Sequence, residues 1–188
     1  SEDCLPQSDD LAVDDPGSQS FVTAVGGTSL QAAGPPPTET VWNSGSGPPP
    51  AGAGGGGVSH AWQMPGYQLN AAKSLNVLGP YSSGSPCGNS GGHCRQVPDV
   101  AADADPDHGY EFYFDGDWGA VGGTSAAAPV WAAILADANS SRICHGSAIG
   151  FADPALYHAA DTAYGSYFND VTTGNNDFTG GNSGLYPA

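Results

Sequence analysis

At 188 residues the chain is long enough to bury one core, and no internal period marks it as a repeat protein. Nineteen Asp and Glu oppose three Lys and Arg, for a formal charge of −16 and a pI near 4.1. With so few cations there is nothing to neutralise phosphates, which excludes nucleic acid and anionic membrane surfaces as partners. The same carboxylates repel one another at pH 7 and are relieved near pH 4, where many are protonated, so the composition suits acid surroundings.

No stretch reaches the ~20 apolar residues of a membrane span, and no basic-then-apolar leader is present. Twenty-nine Gly and sixteen Pro predict a loop-rich chain. Phe21 to Val25, entered through Asp14-Asp15-Pro16, reads as a short buried strand. Gly34 to Gly57 holds two triple-proline runs and a run of four glycines, a linker-like composition. Trp42, between Val41 and Asn43, argues instead for an anchored excursion of a single domain. Val97 to Ala101 reads as a second strand, entered through a proline. Tyr110 to Phe114 and Trp118 to Val121, joined by Asp115-Gly116-Asp117, predict a hairpin. From Ser125 to about Ala138, Pro129, Trp131, Ala132, Ile134 and Leu135 outline a helix, and residues 154 to 161 a shorter one with Pro154 at its start. Short strands around a long helix predict an α/β fold.

Cys87 and Cys94 bracket six flexible residues, Gly88 to His93, and this spacing can close a local disulfide. That pairing predicts an oxidising, extracellular destination, hence a secreted protein. Zinc is a poor alternative, because the spacing is not CxxC and no second ligand pair lies at zinc-like separation. Cys4 and Cys144 could pair with each other or with cysteines elsewhere.

The most informative run is Val121-Gly122-Gly123-Thr124-Ser125-Ala126-Ala127-Ala128-Pro129-Val130-Trp131. Two glycines permit a sharp bend and close approach to a substrate, a hydroxyl residue follows, and small alanines can start a helix behind it. A serine at a helix N-terminus has free backbone N–H groups beside it that can hold a developing oxyanion. The simpler alternative is a helix capped by Thr124 or Ser125.

Around this run lie Val97-Pro98-Asp99-Val100 through Asp105-Pro106, Phe21 to Leu30 with its Gly26-Gly27-Thr28-Ser29, Thr40 to Asn43, and Gly54 to Ser59. Gly150 to Tyr157 and Phe168-Asn169-Asp170-Val171 to Asn176 follow it. In this order and at these separations the set closely resembles the sedolisin family of serine-carboxyl peptidases, over essentially the whole chain. The resemblance implies a subtilisin-like parallel-sheet domain of α/β class, loop-rich, with the hairpin before the nucleophile helix. It also implies that residues 1–188 are the C-terminal part of one catalytic domain, incomplete at both ends. Expected activity is that of a serine endopeptidase working at acid pH on protein or peptide substrates, as a monomer.

The resemblance makes Ser125 the nucleophile, with Gly122, Gly123 and Thr124 binding substrate beside it. Asp14 has a counterpart that lines the substrate cleft in some relatives, although Asp14-Asp15-Pro16 reads equally as a turn. Sedolisins use a glutamate base hydrogen-bonded to an aspartate four residues on along one helix. A carboxylate base suits acid pH, where histidine is already protonated. Glu111 and Asp115 have that spacing, but on a strand residues four apart lie roughly 13 Å apart, so the pair is expected upstream of this sequence. Asp3 falls a few residues late for the family's oxyanion aspartate.

His60, His93, His108, His145 and His158 sit in no catalytic motif and read as surface residues. Asp170 and the Val171 carbonyl match one half of the family's calcium (Ca2+) site, and Asp177 matches none of it. With one catalytic member of four present, the chain alone is expected to be inactive. Two further readings remain, a secreted binding domain of peptidase descent and a histidine-dependent subtilisin-type peptidase.

Overall fold

A computed structural model describes residues 12–48, 51–141, 147–181, 183, 186 and 187. Cys4, Asp3, Cys144 and His145 lie outside the described residues. The chain forms two compact units: Ser1–Ala24, Gly55–Asp99 and Phe151–Asp170 make the first, and Val25–Gly54, Val100–Gly150 and Val171–Ala188 the second.

The second unit carries a three-stranded sheet. Strand β1 (Val25–Ala32) lies between β2 (Thr38–Val41), antiparallel to it, and a parallel strand at Val100–Asp103, with Val25 opposite Val100 and Thr28 opposite Asp103. Two short strands, β3 (Asn43–Gly45) and β4 (Gly52–Ala53), pair across part of the proline-glycine excursion. Trp42 is 3% exposed and packs with Ala104 and Ala127, so the excursion is pinned by its aromatic, as expected. Burying an indole is worth several kcal/mol at about 25 cal/mol per Å².

In the first unit β5 (Gly57–Gln63) pairs antiparallel with β6 (Cys94–Val97). A short helix α1 (Gly66–Leu69) follows β5, and a 3₁₀ turn covers Lys73–Leu75. The parallel strand at Val100–Asp103 is β7. The expected Val97–Ala101 strand is therefore two strands. Pro98 between them cannot donate a ladder bond, and the next N–H, of Asp99, goes to Ala24 O at 2.9 Å.

The strand expected at Phe21–Val25 begins only at Val25. Asp99 is the reason here too: its carboxylate accepts the Ala24 N–H at 2.8 Å, taking a donor that a neighbouring strand would have used. Phe21 stays 84% exposed, in edge contact with Phe151.

The expected hairpin forms from β8 (Tyr110–Phe114) and β9 (Asp117–Val121), with Asp117 paired to Phe114 in the ladder and not part of the connection as expected. It closes over two residues, Asp115 (φ 51°) and Gly116 (φ 93°), the positive-φ pair of a type I′ turn. Helix α2 (Thr124–Ser140) is one residue longer at its start than expected and two at its end. Helix α3 (Asp153–Tyr167) is nearly twice the expected length, with Ala163 out of helical geometry.

A buried charge cluster organises the first unit. Arg95, Asp99 and Asp153 have side chains with no exposure to solvent. The Arg95 guanidinium grips Asp99 with both terminal nitrogens, at 2.7 and 2.5 Å, and also donates to Gln96 O and Val22 O. Asp153 Oδ2 stands 3.8 Å from Arg95 Nη2, too far for a hydrogen bond, and neither of its oxygens has a partner in good geometry.

Beside the cluster, Cys87 and Cys94 form the expected disulfide, with Cα atoms 5.8 Å apart. Replacing both with serine should lower unfolding stability by about 2–3 kcal/mol, the loop-closure value for so short a ring. Urea unfolding of the double variant checks this, and an unchanged midpoint would make the bridge incidental.

Candidate active site

Ser125 is the second residue of α2 and is exposed. Three local features put it there. Gly123 caps the helix with φ 83° and ψ 159°, a conformation that L side chains rarely adopt. Its N–H donates to Ala104 O at 2.5 Å, tying the turn to the end of β7. Gly122 lies flat against the next turn: a Cβ there would stand 2.5 Å from Pro106 N, 2.6 Å from Pro106 Cα and 2.7 Å from Ala104 O. All three are backbone atoms that cannot swing aside, so only glycine fits.

Gly122→Ala should therefore destabilise the protein by about 1–3 kcal/mol, whereas Gly47→Ala, where a Cβ meets nothing within 4 Å, should be near neutral. Thermal unfolding of the two variants checks the contrast. Equal midpoints would mean that the turn is slack.

Behind the serine the helix is held by packing. Ala127 is fully buried against Trp42 and Ala104, and Trp131 Nε1 donates to Ala101 O at 2.9 Å. Pro129 sits inside the helix and has no N–H to give to the carbonyl four residues back, which is that of Ser125. Ala126 and Ala127 direct their N–H groups to Gly123 O, at 2.9 and 3.4 Å. The amides of Thr124 and Ser125, first in the helix, have no intrahelical acceptor and are the donors available to a developing oxyanion.

No described residue hydrogen-bonds the Ser125 hydroxyl. His60 lies on β5, His93 in the disulfide loop and His158 on α3, all in the first unit. His108, in the same unit as Ser125, faces Asp105 at 3.3 Å. Glu111 is on β8 and Asp115 in its turn, so that spacing makes no helical carboxylate pair.

Gly122, Gly123, Thr124 and Ser125 thus come together as one turn. Asp14 belongs to the first unit, exposed in the Asp14-to-Ser18 turn, where its carbonyl accepts the Ser18 N–H at 2.9 Å. Asp170 is exposed and accepts the Tyr164 hydroxyl at 3.2 Å. Burial and then this carboxylate push the Tyr164 phenol up from its ordinary range. Among the described residues no three His, Cys, Asp or Glu converge as metal ligands. One carboxylate and the Val171 carbonyl fall short of the ~6–8 oxygens calcium requires, so the described residues do not by themselves make a calcium site. No described helix is long and apolar enough to cross a membrane.

Asp105 escaped the sequence reading. Burial opposes its charge, but hydrogen bonds from the Ser29 hydroxyl, the Asp107 amide and His108 outweigh that and hold it below the usual carboxylate range. The Asp-x-Asp-Pro run shows a turn, but nothing in it says that Ser29, 76 residues away, bonds there.

No family model matches the chain. It is 42% identical over 166 residues to kumamolisin from Bacillus sp. (strain MN-32), a match spanning 88% of this chain and 26% of kumamolisin. To tripeptidyl-peptidase SED2 of Arthroderma otae it is 35% identical over 164 residues, 85% of this chain and 23% of that protein. The chain therefore spans about a quarter of the length of these curated relatives. Among solved structures, Pseudomonas sedolisin, a serine-carboxyl proteinase complexed with two molecules of pseudo-iodotyrostatin, superposes with a TM-score of 0.63 at 28% identity. That match covers 94% of this chain and 44% of the sedolisin chain. The fold, with its parallel β1–β7 pair and its turn-borne serine, agrees with these likenesses: the chain belongs to the sedolisin family, and corresponds to a C-terminal portion of its peptidases.

Proposed function

We propose that these residues are the nucleophile-bearing part of a secreted, acid-active serine-carboxyl endopeptidase. The observation that carries this reading is Ser125, exposed at the start of α2 on a turn where Gly122 has no room for a Cβ and Gly123 takes a positive φ. Its Oγ attacks the peptide carbonyl, the Thr124 and Ser125 amides help hold the oxyanion, the C–N bond then breaks as the leaving amine takes up the proton given by Oγ, and water hydrolyses the resulting acyl-enzyme. The proton of Oγ passes to a carboxylate base that the family resemblance calls for and that no described residue supplies. Gly122 and Gly123 offer backbone to an extended substrate, and by the family resemblance Asp14 is a substrate-binding carboxylate that favours basic side chains. The −16 charge supports an acid working range, and the Cys87–Cys94 bridge supports secretion. Neither unit is a continuous stretch of chain, which supports one catalytic domain across 1–188.

The test is a chimera in which these residues replace the matched portion of kumamolisin, which supplies the remaining catalytic sequence. It should cleave internally quenched peptides between pH 3 and 5, including peptides with blocked amino termini. Cleavage that requires a free amino terminus and releases tripeptides would favour the exopeptidase mode named for SED2 instead. The 188 residues alone should not cleave.

Asp170 and Val171 supply half of a calcium site on this reading. The chimera should gain thermal stability on adding calcium, more so as pH rises and Asp170 ionises. Asp170→Ala should remove that gain, and an undiminished gain in the variant would move the site elsewhere.

A further inference from the structure

Next to the nucleophile turn lies a buried carboxylate that the proposed chemistry does not use. Asp105 is 9% exposed. Its Oδ2 accepts the Ser29 hydroxyl at 2.5 Å and faces His108 Nδ1 at 3.3 Å, while Oδ1 accepts the Asp107 amide at 3.0 Å. Serine, aspartate and histidine here are not a second catalytic site. Ser29 bonds the carboxylate directly and not the imidazole, so His108 cannot take its proton, and Ser29 is itself buried at 5% exposure.

What the carboxylate does is brace a turn between two strands. Ser29 belongs to β1, and the neighbours of Asp105 on both sides touch the nucleophile turn. Ala104 O accepts the Gly123 N–H at 2.5 Å, and the Pro106 backbone is the wall that leaves room only for glycine at 122. Ala104 is also fully buried against Ala127, one turn further along α2. A change in the path of residues 104–106 therefore passes directly into Gly122 and Gly123, and through them to Ser125 Oγ.

We infer that Asp105 is a positioning residue for Ser125, its carboxylate fixing the Ala104–Pro106 path on which the Gly122–Gly123 turn rests. This depends on Ser125 being the nucleophile. Nucleophilic attack is sensitive to misplacement on the order of 1 Å, which can cost about 10²-fold in rate. Asp105→Ala frees Ser29, the Asp107 amide and His108 together. Asp105→Asn keeps the shape and one carbonyl acceptor, and its amide nitrogen can donate to Ser29 Oγ.

The experiment has two arms. In the 188-residue chain, amide hydrogen exchange at Gly123 is followed by NMR. It should accelerate at least tenfold in Asp105→Ala and in the milder Ser29→Ala, while the β8–β9 amides keep their wild-type rates. In the chimera, Asp105→Ala should lower kcat about 10²-fold with KM within twofold, and Asp105→Asn should recover most of the loss. Unchanged exchange at Gly123 overturns the inference. So does a parallel rise of exchange throughout the unit, or a loss shared by kcat and KM that Asn fails to rescue, since these mark a merely structural aspartate. A chimera without Ser125-dependent cleavage refutes the peptidase reading alone, and the exchange arm then decides whether Asp105 controls the turn.

Discussion

Ser125→Ala in the chimera should remove peptide cleavage by at least about 10³-fold while leaving the unfolding midpoint within a degree or two of the parent. The asymmetry follows from the surroundings of the residue. Its hydroxyl is exposed and bonds to no described residue, so deleting it opens no cavity and orphans no buried partner. Alanine is also the better helix former at that position. A serine that only capped the helix would show the opposite pattern, a stability loss of ~1 kcal/mol with activity intact. Cleavage assays and thermal unfolding on the same preparation separate the two outcomes, and full activity in the alanine variant would reduce Ser125 to structure.

Stability should fall as pH rises from about 4 to about 6, through Asp153. Burial is the main cause of its raised pKa, near 6, and the Asp99 carboxylate adds to it. The nearby Thr23 and Tyr67 hydroxyls and Arg95 pull the other way without cancelling burial. Facing this cluster, Tyr67 and Tyr157 also have raised pKa values, chiefly from burial, so neither supplies charge in this range.

One guanidinium thus stands against two carboxylates. With Asp153 protonated the cluster is neutral, and with Asp153 ionised it carries an uncompensated buried negative charge. Between its ordinary value of 3.8 and about 6 the folded protein holds a proton that the unfolded chain has released. The contribution is complete below pH 3.8 and gone above about pH 6, on the order of 2–3 kcal/mol in all.

Asp153→Asn should flatten that part of the profile, making the variant more stable than the parent at pH 7 and no more stable at pH 4. Denaturant unfolding of both proteins from pH 3 to 8 gives the difference curve, in which the many surface carboxylates cancel. A constant offset between the two, with no slope between pH 4 and 6, would remove Asp153 as the cause. A slope carried by Asp153 would be separate from the mutual repulsion of the surface charges.

Features whose causes are local could be read from the chain alone. Asp115-Gly116 closes the hairpin because both central residues of a type I′ turn need positive φ. Gly122-Gly123 before an alanine run starts a helix with a hydroxyl at its tip, and six flexible residues between Cys87 and Cys94 permit their bridge. Trp42 had to be anchored because a large apolar ring is costly to leave in water.

Features set by distant partners were decided only in three dimensions. The edge of β1 at Val25 and the split of β6 from β7 depend on Asp99, which takes the backbone N–H of Ala24 75 residues away. Burial of Arg95 depends on Asp99 and Val22 reaching it from different segments, and the raised pKa of Asp153 depends on its burial and on the Asp99 carboxylate 54 residues before it in the chain. Asp105 reads as one more turn aspartate until Ser29 is seen to bond it. In each case a side chain replaces a partner that local sequence would assign to backbone or water, and no periodicity or spacing records that exchange.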